Sequence, residues 1–263
     1  MASSQLVRDN ADLADALVDG RVTPYVQPVF RLADGKLAGF EALARWRHRK
    51  KGLLQAAPLI SAAEAGGLMP ALSELMVGAS VDLLASWRRR FSAAQDIFMA
   101  VNVSGPEIAD GSVLRQAAAA AKAAGLPPKA LHIEITEHHV IDDHDAAAIA
   151  LTELRASGVG VALDDFGAGF ASLNWLARFP ADILKIDAYF VKAMDDSPAA
   201  EKIIRAITAL AHDLGLKVIA EGVESADGPN RLRELGCDYA QGHFYGEAIE
   251  PEEAEARYLI PAA

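Results

Sequence analysis

The sequence predicts an α/β chain folded as a (β/α)8 barrel, and three observations carry that expectation. About eight short apolar runs alternate with helical patterns along the chain. The chain has 263 residues, close to the roughly 250 of one such barrel. The third observation is the stretch Val159-Gly160-Val161-Ala162-Leu163-Asp164-Asp165-Phe166-Gly167-Ala168-Gly169-Phe170. Its apolar beginning reads as a buried parallel strand, because such strands are apolar on both faces. Asp164 and Asp165 then sit at the strand's C-terminal tip, where α/β folds bind ligands.

In order, residues 12–18 carry a short amphipathic pattern that Gly20 can stop. Tyr25-Val26-Gln27-Pro28-Val29-Phe30 reads as a strand, and Pro28 marks it as an edge or irregular one, since proline has no N–H to give. Ala33-Asp34-Gly35-Lys36 is a hairpin-like turn into a second strand over 37–44. That antiparallel beginning is unusual for a repeating α/β chain. A helical region covers 59–90, broken around Gly66-Gly67-Leu68-Met69-Pro70. Strands are expected at 97–103 and 131–136, with an Ala-rich helix at 112–124 and another at 145–156 closed by Gly158. A short helix follows at 171–178 and a strand at 182–186. The helix over 199–214 has Ser197 as cap, Pro198 in its first turn and Gly215 at its end. A strand at 216–220, a helix at 226–235, a last strand around Tyr239 and a helix at 251–258 complete the chain.

Bulk properties narrow the function. Hydrophobic residues make up 52%, enough for a sizeable core, and no linker or low-complexity run divides the chain. One domain over residues 1–263 is expected, with the sequence open to being a piece of a longer protein. The formal net charge is -11, which argues against general binding of nucleic-acid polymers, whose affinity comes from Lys and Arg. Cys237 is the single cysteine, so neither a disulfide within the chain nor a Cys-based zinc site is expected. Arg8, Asp9, Asp12, Asp15 and Asp19 interrupt any signal-peptide core, and no uncharged apolar run spans a bilayer. A cytoplasmic domain is the expectation.

The candidate chemistry lies at the strand tips. The C-terminal ends of the expected strands offer Glu41, Asn102, Glu134 with Glu137 beyond it, Asp164 and Asp165, Lys185 and Asp187, Glu221, and Gln241. In a barrel these ends ring one mouth. Two adjacent carboxylates followed by a Gly-rich loop could be a turn with a helix N-cap. The reading favoured for the pair is a divalent cation site, since paired carboxylates repel without a proton or cation between them, and oxygen donors suit Mg²⁺ or Mn²⁺. On the 182–187 stretch Lys185 and Asp187 share one face, while Leu184 and Ile186 mark the packed one. Lys185 is open to two readings, an ion pair with Asp187 or another carboxylate, or a functional group at the mouth.

In order and spacing, Gln27-Pro28, Glu41-Ala42-Leu43 with Arg45-Trp46, Val101-Asn102-Val103-Ser104, Glu134-Ile135-Thr136-Glu137, Asp164-Asp165-Phe166-Gly167, Leu184-Lys185-Ile186-Asp187, Ala220-Glu221-Gly222-Val223-Glu224 and Gln241-Gly242 resemble the EAL domain family of cyclic di-GMP phosphodiesterases. The resemblance covers about 13–251. It implies a modified TIM barrel with an irregular antiparallel first strand, two divalent cations (Mg²⁺ or Mn²⁺) and cleavage of cyclic di-GMP to linear pGpG. By the same resemblance Glu41, Asn102, Glu134 and Asp164 are ligands of the first cation, Asp164 is the bridge and Asp165 binds the second. Glu221 is a ligand or stands just behind one. Lys185 holds the attacking water, and Glu137 braces the 167–170 loop. Gln27, Leu43, Arg45, Asp187, Glu224 and Gln241 are substrate contacts. A homodimer is also implied, with the region after Asp165 at or near its interface.

The chemistry agrees with that implication: two cations about 4 Å apart lower the pKa of a bound water and neutralise phosphoryl oxygens. They also let an acidic protein attract an anionic nucleotide. Two segments depart from the family pattern, at Ala168 and Phe170 in the loop and at Glu247-Ala248 late in the chain. The main rival is a non-hydrolysing cyclic di-GMP receptor, which should lack a metal ligand or the lysine. A dinucleotide-cofactor enzyme fails because Ser172 spoils the G-x-G-x-x-G fingerprint. An HD-type phosphohydrolase built on His144-Asp145 lacks companion histidines, His138 and His139 read as surface or supporting residues, and Ser104 has no evident histidine partner.

Overall fold

The structure is a computed structural model and describes residues 11–136, 143–167 and 172–260. A helix (α1, residues 11–18) ends near Gly20, whose φ of 70° lies in the left-handed region. Two long strands follow, β1 (Val22–Arg31) and β2 (Leu37–His48), paired antiparallel across the expected turn. A three-residue strand β3 (Gly52–Leu54) adds to β2 from outside. The expected long helical region is two helices, α2 (Ala56–Gly66) and α3 (Met69–Arg90). Gly67 separates them with a φ of 64° while its N–H bonds back to the end of α2.

From there strands and helices alternate: β4 (Phe98–Asn102), α4 (Gly105–Asp110), α5 (Ser112–Ala123), β5 (Leu131–Thr136), α6 (His144–Ala156), β6 (Gly160–Phe166), α7 (Ser172–Arg178), β7 (Ile183–Ile186), α8 (Ala188–Ala193), α9 (Pro198–Asp213), β8 (Lys217–Ala220), α10 (Gly228–Glu234), β9 (Tyr239–Gln241) and α11 (Pro251–Ala254), which continues as a π-turn over Glu255–Leu259. The short helices α4 and α8 were not anticipated. Each begins on a side-chain cap rather than on an apolar period: Ser104 and Glu107 form a capping box for α4, and the Asp187 carboxylate accepts the Tyr189 N–H for α8.

The sheet runs β1-β9-β8-β7-β6-β5-β4-β2, and the β1–β2 pairing closes it into an eight-stranded barrel. Among the eight barrel strands β1 alone runs against the rest: it is antiparallel to both β2 and β9, whereas β2 and β4 through β9 are parallel. The irregular antiparallel first strand is therefore present: of the two alternatives Pro28 left open, β1 is irregular, with a register shift between Val29 and Phe30, and is not an edge strand. Proline is tolerated because of where its nitrogen points. The Val26 N–H bonds to Ile249 O on the side away from β2. Pro28, two residues on, faces the same side, between that bridge and the start of β9 pairing at Val29.

Side chains alternate strictly across this wall. On β7, Leu184 and Ile186 join the outer core under the helices, while Ile183 joins Val29, Phe98, Ala100, Ala162 and Ile219 inside. The interior is crowded enough to demand glycine at two points. A Cβ on Gly39 would lie 2.6 Å from the Phe98 ring, and one on Gly160 would lie 2.3 Å from the His132 ring. The outer core includes Phe40, Trp46 and Trp87, each fully buried, and burying a large apolar side chain stabilises by about 1.5–3 kcal/mol.

Candidate active site

The same period of two that fills the barrel's lower interior lifts polar groups to its C-terminal end. On β4 the inward series Phe98, Ala100 ends in Asn102, on β6 the series Gly160, Ala162 ends in Asp164, and on β7 Ile183 is followed by Lys185. Lys185 is only 1% exposed, yet its Nζ lies 2.8 Å from Glu221, 2.9 Å from Glu134, 3.0 Å from Asp164 and 3.4 Å from Glu41. One ammonium thus faces carboxylates from four stretches of the barrel wall: Glu41 within the long β2, Glu134 on β5, Asp164 on β6 and Glu221 just after β8. Its partners settle which ion pair it makes: these four, and not Asp187, which caps α8.

The amides complete the ring. Asn102 Nδ2 donates to Glu41 Oε1 at 2.9 Å, and Gln241 Nε2 donates to Glu41 Oε2 at 2.7 Å and to Gln27 Oε1 at 3.0 Å. The Gln241 Oε1 is buried with no hydrogen-bond partner. Asp165 adopts a φ of 55°, uncommon for a residue with a Cβ, and its N–H donates to Asp164 Oδ1 at 2.9 Å. That turn lets two adjacent carboxylates approach one region, where strand geometry alone would send them to opposite faces.

Burial and mutual repulsion leave their mark on the carboxyls. Burial pushes Glu221 up to about 8 in spite of Lys185, with Asp164 and Glu41 adding repulsion. Glu134 is raised well above its ordinary value and Asp164 is raised, burial again leading. For Glu41 burial is outweighed by Lys185, Gln241 and Asn102, which hold it below the usual range. Lys185 is held well above its ordinary value, because the four carboxylates overcome the cost of burying its charge.

Two sets of carboxylates could each surround a cation, with ligand atoms within 4.8 Å of one another: Glu41, Glu134 and Asp164, and Asp164, Asp165 and Glu221. Asp164 belongs to both. The donors are all oxygen, as a hard divalent ion prefers, and one ammonium cannot balance four carboxylates. The residues present therefore fit a pair of such ions.

The remaining sequence candidates divide. A cleft of about 270 Å³ beside this centre is lined by Gln27, Glu41, Leu43, Glu221, Glu224 and Gln241 together with Ala188, Lys192 and His243. Arg45 lies on the same strand as Glu41 and Leu43, with its guanidinium 5.7 Å from the Tyr25 ring centroid. Glu137, His138, His139, Ala168 and Phe170 fall outside the described residues. Apolar residues in the region after Asp165 divide as well, with Leu173 66% exposed, Trp175 buried and Leu176 packed on the core. Lys192 was missed by sequence reasoning. It sits on α8, a helix begun by the Asp187 cap, and a lysine on a short unforeseen helix gives no sequence signal.

Comparison with known proteins supplies the remaining findings. The EAL domain family matches residues 10–248. An uncharacterized protein of Mycobacterium tuberculosis is 37% identical over 89% of this chain and 77% of its own length. A Pseudomonas aeruginosa protein named cyclic di-GMP phosphodiesterase NbdA is 34% identical over 94% of this chain. This chain spans only 31% of NbdA, and 31% of a 37% identical uncharacterized protein of Azorhizobium caulinodans. Among solved structures, the MucR phosphodiesterase of Pseudomonas aeruginosa in complex with c-di-GMP superposes with a TM-score of 0.85 at 34% identity, covering 95% of this chain and 99% of that one. The FimX EAL domain from the same organism, bound to c-di-GMP, gives 0.79 at 25% identity over 89% and 93%.

Proposed function

The chain belongs to the EAL domain family, and on that premise we propose that it is a divalent-metal-dependent phosphodiesterase that hydrolyses cyclic di-GMP to linear pGpG. One observation carries the reading: two carboxylate sets share Asp164 around a fully buried lysine at the mouth of the barrel. Water is added across one phosphodiester bond, its oxygen going to phosphorus and a proton to the departing ribose oxygen. Glu41, Asn102, Glu134 and Asp164 would hold one Mg²⁺ or Mn²⁺, and Asp164 and Asp165 the other, with Glu221 a ligand or directly behind one. When bound, the cations would lower the pKa of water and neutralise phosphoryl charge.

The chain's own groups do the rest. Lys185 orients the attacking water as a charged group and steadies the phosphoryl oxygens. No general base is asked of it, because the cations would already lower the pKa of the water. Gln27, Leu43, Arg45, Asp187, Glu224 and Gln241 position the nucleotide. The orphaned Gln241 Oε1 offers an acceptor to a donor on it. Glu137 would brace the loop after Gly167, and a homodimer with that region at its interface remains part of the proposal.

The test is direct. The purified protein is incubated with cyclic di-GMP and Mg²⁺ or Mn²⁺, and the nucleotides are separated by chromatography. The expected product is pGpG. Tight binding with no product under either metal would establish the receptor reading, against which the complete ligand set and the lysine already argue.

A further inference from the structure

The cleft beside the acidic centre adjoins a second hollow of about 330 Å³, and Lys192, Gly222 and Glu224 line both. Lys192 Nζ lies 2.7 Å from Glu224 Oε1, with both side chains more than half exposed. The backbone explains why they meet. Gly222 has a φ of 71°, and a Cβ there would stand 2.5 Å from the Ala188 Cβ and 3.5 Å from the Lys192 Cε. Only glycine lets the chain leaving β8 lie against α8 while the Lys192 stem crosses it. Glu224 follows two residues later and is thereby delivered to the ammonium.

An exposed ion pair contributes little to stability, so this one can be altered without loss of the fold. Its position is more telling. It presents a cationic donor and a carboxylate acceptor side by side at the edge of a ligand cleft. A phosphate placed on Lys192 would meet the charge of Glu224. An apolar group would displace water from both charges without replacing its hydrogen bonds. A nucleobase edge that sets an acceptor beside donors satisfies both. Guanine offers O6, N1–H and the N2 amino group in that order, whereas adenine offers one donor and one acceptor.

We propose that Lys192 is a specificity-determining residue that reads guanine jointly with Glu224: Glu224 accepts from N1–H and the N2 amino group, and Lys192 donates to O6. This rests on cyclic di-GMP being the substrate. Lys192 and Glu224 already stand together in the free protein, so the donor–acceptor pair is arranged before the base arrives.

The experiment is calorimetric titration of cyclic di-GMP without divalent cations, so that no turnover intervenes. Wild type is compared with Lys192→Met, Lys192→Gln and Lys192→Arg, and cyclic di-AMP is measured by competition against cyclic di-GMP. Lys192→Met should lose about tenfold in affinity for cyclic di-GMP, the scale of one charged hydrogen bond. Its preference for guanine over adenine should narrow by a similar factor. Lys192→Gln, which keeps a donor without the charge, should lose less, and Lys192→Arg least. Unchanged affinity in Lys192→Met overturns the proposal, and so do equal losses in the Met and Gln variants, which would reduce Lys192 to general attraction. A wild type that neither binds nor hydrolyses cyclic di-GMP when Mg²⁺ or Mn²⁺ is supplied overturns the functional reading and this inference with it, whereas a wild type that binds selectively while Lys192→Met behaves identically overturns the inference alone.

Discussion

At the carboxyl end of the barrel one ammonium, Lys185, stands among four carboxylates. At the amino end one carboxylate, Asp182, stands among four donors: Arg155 Nε at 3.0 Å and Nη2 at 2.7 Å, Lys129 Nζ at 2.9 Å and the Val161 N–H at 3.0 Å. Charge of one sign is in excess at each end, but the consequences run opposite ways. Burial opposes the Asp182 charge, yet its donors draw the carboxyl down to about 2. Glu221 at the other end rises to about 8. A carboxylate with more donors than it needs ties α6, β6 and the start of β7 together and asks for nothing further. Carboxylates with fewer donors than they need form an incomplete site that cations would complete. Perturbed groups cluster at both ends, so perturbation alone does not mark function, and the sign of the imbalance does.

The largest expected effect tests the incomplete end. Asp164→Asn removes the one carboxylate common to both sets, so both cations should be impaired and turnover should fall by at least about a thousandfold. Asp165→Asn should leave the first cation and substrate binding intact while lowering turnover. Anomalous scattering from Mn²⁺-soaked crystals decides. Two fully occupied sites in the Asp164→Asn protein would remove its bridging role and with it the meaning assigned to the excess of carboxylates.

The next effect separates the lysine's service to the fold from its service to the reaction. Among the described residues Lys185 is the ammonium of the buried acidic ring; Lys185→Ala removes it, and breaking a buried ion pair from one side costs about 3–5 kcal/mol. The metal-free variant should therefore melt well below wild type, and Mn²⁺ should restore much of the difference. Turnover of the Mn²⁺-loaded variant should remain low, because the water and phosphoryl oxygens lose their orienting charge. Lys185→Arg, which stays protonated, should recover part of it. Equal melting of wild type and Lys185→Ala in EDTA would mean that the ring is not held by that ammonium.

How legible the two ends were in the sequence follows from what each depends on. The carboxyl end announced itself because parallel barrel strands are short apolar runs, and a carboxylate at the end of such a run breaks the pattern at a fixed place. Asn102, Glu134, Asp164, Lys185, Glu221 and Gln241 could be found that way, and the strand over 131–136 matches β5 in full, whereas β2 runs past Glu41 to His48, beyond the expected end at 44. What could not be read was how neighbours share a partner. Alternation put Lys185 and Asp187 on one face, but the strand ends at Ile186 and Asp187 turns to cap α8. The Lys192–Glu224 pair was hidden for the same reason, since it depends on a left-handed Gly222 that only the folded backbone displays. The amino end was silent altogether. Asp182 opens a strand as an ordinary polar residue would, and its partners Lys129 and Arg155 come from two separate connections.

The smallest effect belongs to that silent end, and it has a sign fixed by the pKa. Asp182 titrates lower in the folded protein, near 2, than the ordinary 3.8 of an aspartate. Such a group contributes stability that is fully present above the unfolded value and is lost as pH falls from about 4 towards 2. Asp182→Asn keeps the shape and one acceptor but removes the charge. It should therefore lower stability near neutrality by about 1–3 kcal/mol, the scale of hydrogen bonds to a charged group. The gap between variant and wild type should close progressively below about pH 4, where wild type loses the same charge. Urea denaturation at a series of pH values measures both. Since the clamp lies at the opposite end from the acidic ring, turnover of the folded variant should stay within about twofold of wild type. A constant gap down to pH 2 would mean that Asp182 acts through its packing instead of its charge. A large loss of turnover in a variant of normal stability would mean that the two ends of the barrel are coupled, and the division between a satisfied end and an incomplete one would fail.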